Sequence, residues 1–318
     1  SKQEQLFLQM IREFAEKEVK PLAAEVDESE RFPMETVQKM AKLGIMGIPF
    51  PVEFGGAGGS NILYTMAVEE LSRVCATTGV IVSAHTSLCC APIMEHGTPE
   101  QKAKYLPKLT SGEWIGAFGL TEPNAGTDAS AQQTFAVKEG DHYVLNGSKI
   151  FITNAGYAHV YIIMAMTDKS KGTKGISAFI VEKDFPGFSI GKKEKKMGIR
   201  GSSTYELIFT DCRIPKENLL GQKGKGFHIA MHTLDGGRIG IAAQALGIAE
   251  GALDRTIAYV KERKQFGRTI GQFQNTQFQL ADMATKVEAA KMMVYKAAMA
   301  KATQKVYSVE AAQAKLYA

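Results

Sequence analysis

The chain is short of cysteine and of net charge, and it lacks the short motifs that announce many enzyme classes. Its four cysteines, Cys75, Cys89, Cys90 and Cys212, form no CxxC pair and no Cys/His set with zinc spacing. That argues against a disulfide scaffold and a zinc ribbon. They read as reduced thiols of an intracellular protein. Lys plus Arg number 38 against 33 for Asp plus Glu, a net +5, which gives no support to a nucleic-acid partner. No run of about 18 uninterrupted apolar residues occurs, so no membrane insertion is expected. A Walker loop, a G-x-G-x-x-G fingerprint, a G-x-S-x-G elbow and an HExxH helix are all missing. The N-terminus has neither an apolar signal core nor an Arg-rich leader. It also has no initiator Met, and a processed or trimmed start is expected.

What is present falls into three zones, 1–112, 113–216 and 217–318. The first reads as helix. Leu6, Met10 and Phe14, and later Val37, Met40 and Ala41, recur at three-to-four spacing, with Pro33 just inside a helix start. Ser60 is placed to begin a helix after the loop Gly55–Gly59. Gly97-Thr98-Pro99-Glu100-Gln101 reads as a break followed by a capped helix. In the second zone short β-branched and aromatic runs alternate with turns: 143–145, 149–153, 160–164, 176–181 and 207–209. Asn146-Gly147 predicts a hairpin between the first two. No βαβ alternation appears, so a compact β-barrel or sandwich is expected rather than a Rossmann sheet. The third zone predicts long helices over 226–262 and about 273–302, and another from near Ser308 that is cut at Ala318. The fold class is therefore α+β multidomain: an N-terminal all-helical domain, a middle β-domain and an incomplete C-terminal helical bundle.

Few residues stand out as chemistry. The basic run Lys192–Lys196 could touch phosphate, but it lacks interleaved aromatics and reads as a solvated strand edge. His228 and His232 share a helix face at a spacing zinc can use. Without HExxH they read as packing or surface histidines, and no metal site is expected. The turn Phe118–Asp128, with Pro, Gly and hydroxyl side chains, can form a nest of backbone N–H groups for an anion. A plain structural loop is the competing reading.

Four segments, in order along essentially the whole chain, resemble the acyl-CoA dehydrogenase family. They are Phe118–Asp128, Asn146–Asn154, Gly198–Thr204 and Glu262–Gly267, with agreeing flanks at Arg213–Gly221 and Leu280–Met283. The likeness is greatest to the short-chain, butyryl-CoA branch. It implies FAD, with Phe118, Leu120 and Thr121 along the flavin and Gly126 and Thr127 near its phosphates. Phe151, Ile152 and Thr153 would lie against the ring system, with Thr153 near N5. Arg263 and Gln274 would reach the FAD of a neighbouring subunit in a homotetramer, Arg because its charged fork suits a pyrophosphate. Asp235, Gly236, Gly237 and Arg238 would meet the acyl-CoA substrate, with Thr127 shared between the two ligands. Cap and ion-pair roles compete at Asp235 and Arg238. The implied reaction is α,β-desaturation of a short-chain acyl-CoA, or its reverse, by α-proton removal and hydride transfer. Electron-transfer flavoprotein would be the electron partner. A bacterial cytoplasmic location is expected, with the mitochondrial matrix as alternative.

The sequence departs from that pattern in one respect. The family's usual catalytic Glu lies beyond the region matching Ala318, and the alternative position on the helix around Gly237 is here a glycine. No catalytic base is therefore assigned, and the chain is expected to lack a C-terminal segment. A non-catalytic FAD and acyl-CoA binding scaffold is the runner-up reading, and an oxidase on the same fold a third.

Overall fold

The computed structural model describes all 318 residues, which group into two compact units. The first comprises Ser1–Ala24, Ser60–Val80 and Arg238–Ala318. Helix α1, Lys2–Phe14, opens with a capping box between Ser1 and Glu4 and buries Ile11 and Phe14. Short helices α2, Ala23–Glu28, and α3, Met34–Lys42, follow it in the chain. Helix α4, Asn61–Val74, is capped as predicted by Ser60, whose hydroxyl accepts from the Leu63 N–H at 3.1 Å. Later in the chain comes α9, Gln274–Thr303, which buries the mostly small residues Ala290, Val294, Ala297, Ala298 and Ala300. Small side chains let helices approach closely. Helix α10, Ser308–Tyr317, buries Ala311 and Ala314.

The second unit comprises Glu25–Gly59 and Ile81–Gly237. Pro33 precedes α3 as its cap rather than lying inside it, since its fixed φ suits the turn into a helix. Helix α7, Pro99–Thr110, carries the predicted Thr98 cap with Gln101 completing the box. The long helix α8, Gly226–Glu262, contributes its start, up to Gly237, to this unit.

The middle of the chain forms strands β1 Gly116–Gly119, β2 Phe135–Glu139, β3 His142–Thr153, β4 Val160–Met166 and β5 Ile176–Glu182. β6 Phe188–Lys193, β7 Thr204–Pro215 and β8 Leu219–Leu220 complete them. Their order is β6-β7-β3-β2-β4-β5-β8, with β1 pairing β4 in parallel. Strand β4 is buried at every residue, so its apolar run has no polar face. Ile162, Met164 and Met166 join Ile93, Leu106 and Leu109 of the helices in one core. Tyr161, Ile163 and Ala165 join Leu145, Leu207 and Phe209 of other strands in a second. The sheet thus curls around one core and presents the other to helices.

The expected hairpin at Asn146-Gly147 is corrected. β3 runs unbroken through it, and the register with β7 shifts between Leu145 and Gly147. The Asn146 side chain exchanges hydrogen bonds with Asp211, at 2.8 and 3.1 Å. Gly147 has φ 138°, and a Cβ there would stand 2.5 Å from Thr134 Oγ1. The dipeptide therefore serves a bulge, where glycine is wanted for the same conformational reason as in a turn.

One apolar helix bears on the expectation about membrane insertion. Helices α5, Ala76–Ser83, and α6, Ala91–His96, join through a wider π-helical stretch into one helical run of spanning length and apolarity, and 89% of its apolar window is buried inside the protein. Thr, Ser and His interrupt the run, so an uninterrupted count misses it. Its burial marks it as a core helix. The four cysteines are free and buried. Lys193, at the end of the edge strand β6, donates to Glu30 O, and half-buried Lys196, past that end, donates to Ser202 O, so the basic run is solvated only in part.

Candidate active site

The site grows from two chain segments that the sheet unit holds side by side. Strand β1 carries Phe118, half-buried against the helical-side core, and leads into the turn 120–128. Reciprocal bonds between Glu122 and Ala125, 3.1 and 3.0 Å, close that turn. The Ile150 N–H of β3 donates to Thr121 O at 2.9 Å. This bond sets the turn beside residues 149–153.

A buried ion pair locks the junction. Lys149 Nζ donates to Glu122 Oε1 at 2.7 Å, Leu120 O at 3.0 Å and Gln132 Oε1 at 3.1 Å. Glu122 also accepts from the N–H groups of Gln133 at 2.6 Å and Thr134 at 3.1 Å. Burial pushes the Lys149 ammonium down to about 8, with Glu122 opposing. Burial also works against the Glu122 carboxylate, but the Lys149 charge and its hydrogen bonds hold the carboxyl below its ordinary range. Both groups are therefore charged at neutral pH. Sequence reasoning missed this pair, although both residues lie inside the segments it singled out. The available signal was a lysine in a run of apolar strand residues.

Two features of the exposed side of this junction suit a ligand. Phe151 has φ 61° and is 59% exposed. A left-handed bulky residue costs about 1–3 kcal/mol, and its ring lies open for a planar group to stack on. Gly126 and Thr127 are exposed, and their N–H groups donate to no acceptor of the chain. A Cβ on Gly126 would meet nothing within 4 Å. Such a turn can take phosphate oxygens. Thr121 and Thr153 are half-buried hydroxyls, whereas Leu120 and Ile152 are core side chains and offer a ligand only their backbone. Next to Thr153, Asn154 is buried in a left-handed conformation and donates to Ile81 O and Gly116 O, at 3.1 and 3.3 Å. His85 fixes β1 from behind: Nδ1 accepts from Gly116 N–H at 3.0 Å, and Nε2 lies 3.0 Å from Leu109 O. Burial lowers its pKa to about 4, so it is neutral.

Asp235, Gly236 and Gly237 lie on α8 in the sheet unit, and Arg238 follows as the first α8 residue of the helical unit. A Cβ on Gly237 would come 2.8 Å from Leu88 Cδ2, so a larger side chain there must displace Leu88. In the helical unit, Arg263 and Gln274 flank a hairpin, Lys264–Gln265 with Arg268–Thr269. Arg263 O accepts from Ile270 N–H at 2.8 Å, and both side chains are exposed. No cluster at these positions resembles a hydrolytic triad.

Comparison with known proteins gives this arrangement its class. Models of the acyl-CoA dehydrogenase N-terminal, middle and C-terminal domains match residues 1–113, 117–212 and 224–318. The chain belongs to the acyl-CoA dehydrogenase family, with its helical, β and helical domains in that order, and is a flavoprotein oxidoreductase of that class. It is 65% identical over 318 residues to a short-chain specific acyl-CoA dehydrogenase of Clostridium acetobutylicum, covering 100% of this chain and 84% of the relative. Its structure resembles butyryl-CoA dehydrogenase from Megasphaera elsdenii, with TM-score 0.97, 52% identity and coverage of 99% and 83%. It also resembles a chain solved in work on the electron transferring flavoprotein of Acidaminococcus fermentans, with TM-score 0.98, 57% identity and coverage of 100% and 83%. The expectation of a lost C-terminal segment is not borne out.

Proposed function

We propose that the chain desaturates short-chain acyl-CoA thioesters, butyryl-CoA first among them, with FAD as cofactor. The observation that carries the reading is Phe151, exposed in a left-handed conformation beside a turn that the Glu122–Lys149 pair holds fixed. FAD, when bound, supplies the hydride acceptor. Phe118, Phe151 and the backbone of Leu120 and Ile152 would line its ring system. Thr121 and Thr153 would donate hydroxyls to its polar edge, and Gly126 and Thr127 would take its phosphates. Asp235, Gly236, Gly237, Arg238 and Thr127 would meet the thioester and its CoA moiety. Stabilising charge on the thioester oxygen is what makes the α-proton removable. No base is assigned among these residues. Residue 237 is a glycine and has no side chain to serve as one.

Arg263 and Gln274, exposed at one hairpin, would bind the cofactor of a neighbouring copy in a homotetramer. The electron partner would be electron-transfer flavoprotein, and similarity to the clostridial relative favours a cytoplasmic location. The test is anaerobic addition of butyryl-CoA to the flavin-loaded chain, followed by visible absorbance. Bleaching of the oxidised flavin is the expected result. Flavin that binds yet stays oxidised would favour the second reading, a binding-only chain. Failure to retain flavin would sink both.

A further inference from the structure

We propose that Glu95, His96 and His232 form a binding site for one late first-row divalent cation, with Zn2+ as the ion to test. Glu95 and His96 close the short helix Ala91–His96, and His232 lies in the early turns of α8. All three belong to the sheet unit, so the site is complete within it. Glu95 Oε2 is 3.1 Å from His232 Nδ1 and 4.0 Å from His96 Nε2. The three donor atoms lie within 4.8 Å of one another. Metal–donor bonds of about 2.0–2.1 Å in a tetrahedron separate donors by about 3.3 Å. One pair is already at that spacing, and modest side-chain rotation brings in the third.

The two rings meet edge-on, with centroids 5.8 Å apart, so they do not stack, and a nitrogen of each lies within 4.8 Å of the other's and of the carboxylate. His96 Nε2 is shielded from solvent and makes no hydrogen bond, an arrangement that costs free energy unless an ion or donor fills it. Two imidazoles and one carboxylate suit zinc with a fourth position open, and suit calcium or magnesium poorly because those prefer all-oxygen shells. The four thiols compete weakly, being buried. Burial raises the Cys89 thiol to about 12. The His228/His232 spacing along α8 is thus not the decisive pair. The fold supplies His232 with partners from another helix. An ion there would tie that helix to the turn of α8 preceding Asp235.

The test titrates Zn2+ into the chelator-stripped full chain by calorimetry, with Co2+ absorption as a second readout. One ion per chain is expected, with four-coordinate Co2+ bands and a rise in melting temperature on Zn2+ addition. His96→Ala and His232→Ala should each weaken binding by about a hundredfold or more, since even indirect supports of a metal site are worth 10–100-fold. Glu95→Gln should weaken it by about tenfold or more. His142→Ala, outside the cluster, should bind as the unaltered chain does. Circular dichroism of each variant checks that it is folded. Absence of binding, binding unchanged in the folded cluster variants, or a thiolate charge-transfer band in the Co2+ spectrum would overturn the proposal.

Discussion

Each unit pairs a lysine with a buried carboxylate, and the two centres behave differently. In the sheet unit, Lys149 and Glu122 are 0% and 3% exposed, and the centre has one cation, one anion and a full set of neutral partners. In the helical unit, Lys291 donates to both Glu69 and Glu250, at 3.0 and 2.9 Å, and Tyr295 donates to Glu69. There one ammonium serves two carboxylates. Glu122 ends up below the ordinary carboxylate range, while burial, reinforced by Glu250, lifts Glu69 to about 7. Burial penalises both carboxylates. At Glu122 the Lys149 charge and several hydrogen-bond donors outweigh it, whereas at Glu69 the donors Tyr295 and Lys291 do not outweigh burial and the Glu250 charge together. The first centre acts as a fixed strut under the candidate site, and the second titrates near neutrality.

The largest effect should come from breaking the strut. Lys149→Met leaves Glu122 charged without its cation and strips donors from Leu120 O and Gln132. Removing one member of a buried pair costs about 3–5 kcal/mol, readable by urea unfolding. The turn 120–134 should loosen at the same time, so retained flavin should fall. Lys291→Met should cost less, about 1–3 kcal/mol, because its side chain is 33% exposed and water replaces part of what is lost. If the two losses proved equal, the distinction between strut and titrating cluster would fail.

This difference was not legible in the sequence, and the reason is distance along the chain. Local signals carried well. The Thr98 cap, the Ser60 cap, the apolar run of β4 and the three late helices all occur where their residues predict them, because caps and periodicity act over a few residues. Asn146-Gly147 misled for the opposite reason: a bulge and a hairpin ask the same of glycine locally, and only Asp211 and Thr134, far along the chain, decide between them. Lys149 and Glu122 are 27 residues apart, and Lys291 and Glu69 are 222 apart, so no spacing rule couples them. The candidate site was reached through whole segments that resemble a family. Its supporting pair and the His96–His232 contact needed the fold.

The titrating cluster makes a signed prediction. Glu69 moves from an ordinary value of 4.5 to about 7 in the folded chain. Between those values the native state holds a proton that the unfolded state has released. This contribution to stability is therefore full below about pH 4.5 and is lost as pH rises through about 7. Its slope is at most about 1.4 kcal/mol per pH unit, and the carboxylates titrate as a coupled set. Glu69→Gln, compared with the unaltered chain by urea unfolding across this window, should flatten the slope. A slope that persists unchanged would assign the proton elsewhere.

The smallest effect tests where the cluster ends. Arg73 pairs with Asp254 at the surface, side chains 37% and 50% exposed, and also lies 4.0 Å from the buried Glu70. If the surface pair is separate from the cluster, Asp254→Asn should cost only about 0.2–1 kcal/mol. In about 1 M salt, where the screening length falls to about 3 Å, even that should vanish. A salt-insensitive loss above about 2 kcal/mol would mean that Asp254 holds Arg73 in place for Glu70. The helical unit's charges would then form one network from Asp254 through Arg73 to Glu70, and the contrast with the sealed pair in the sheet unit would be one of extent as well as of charge balance.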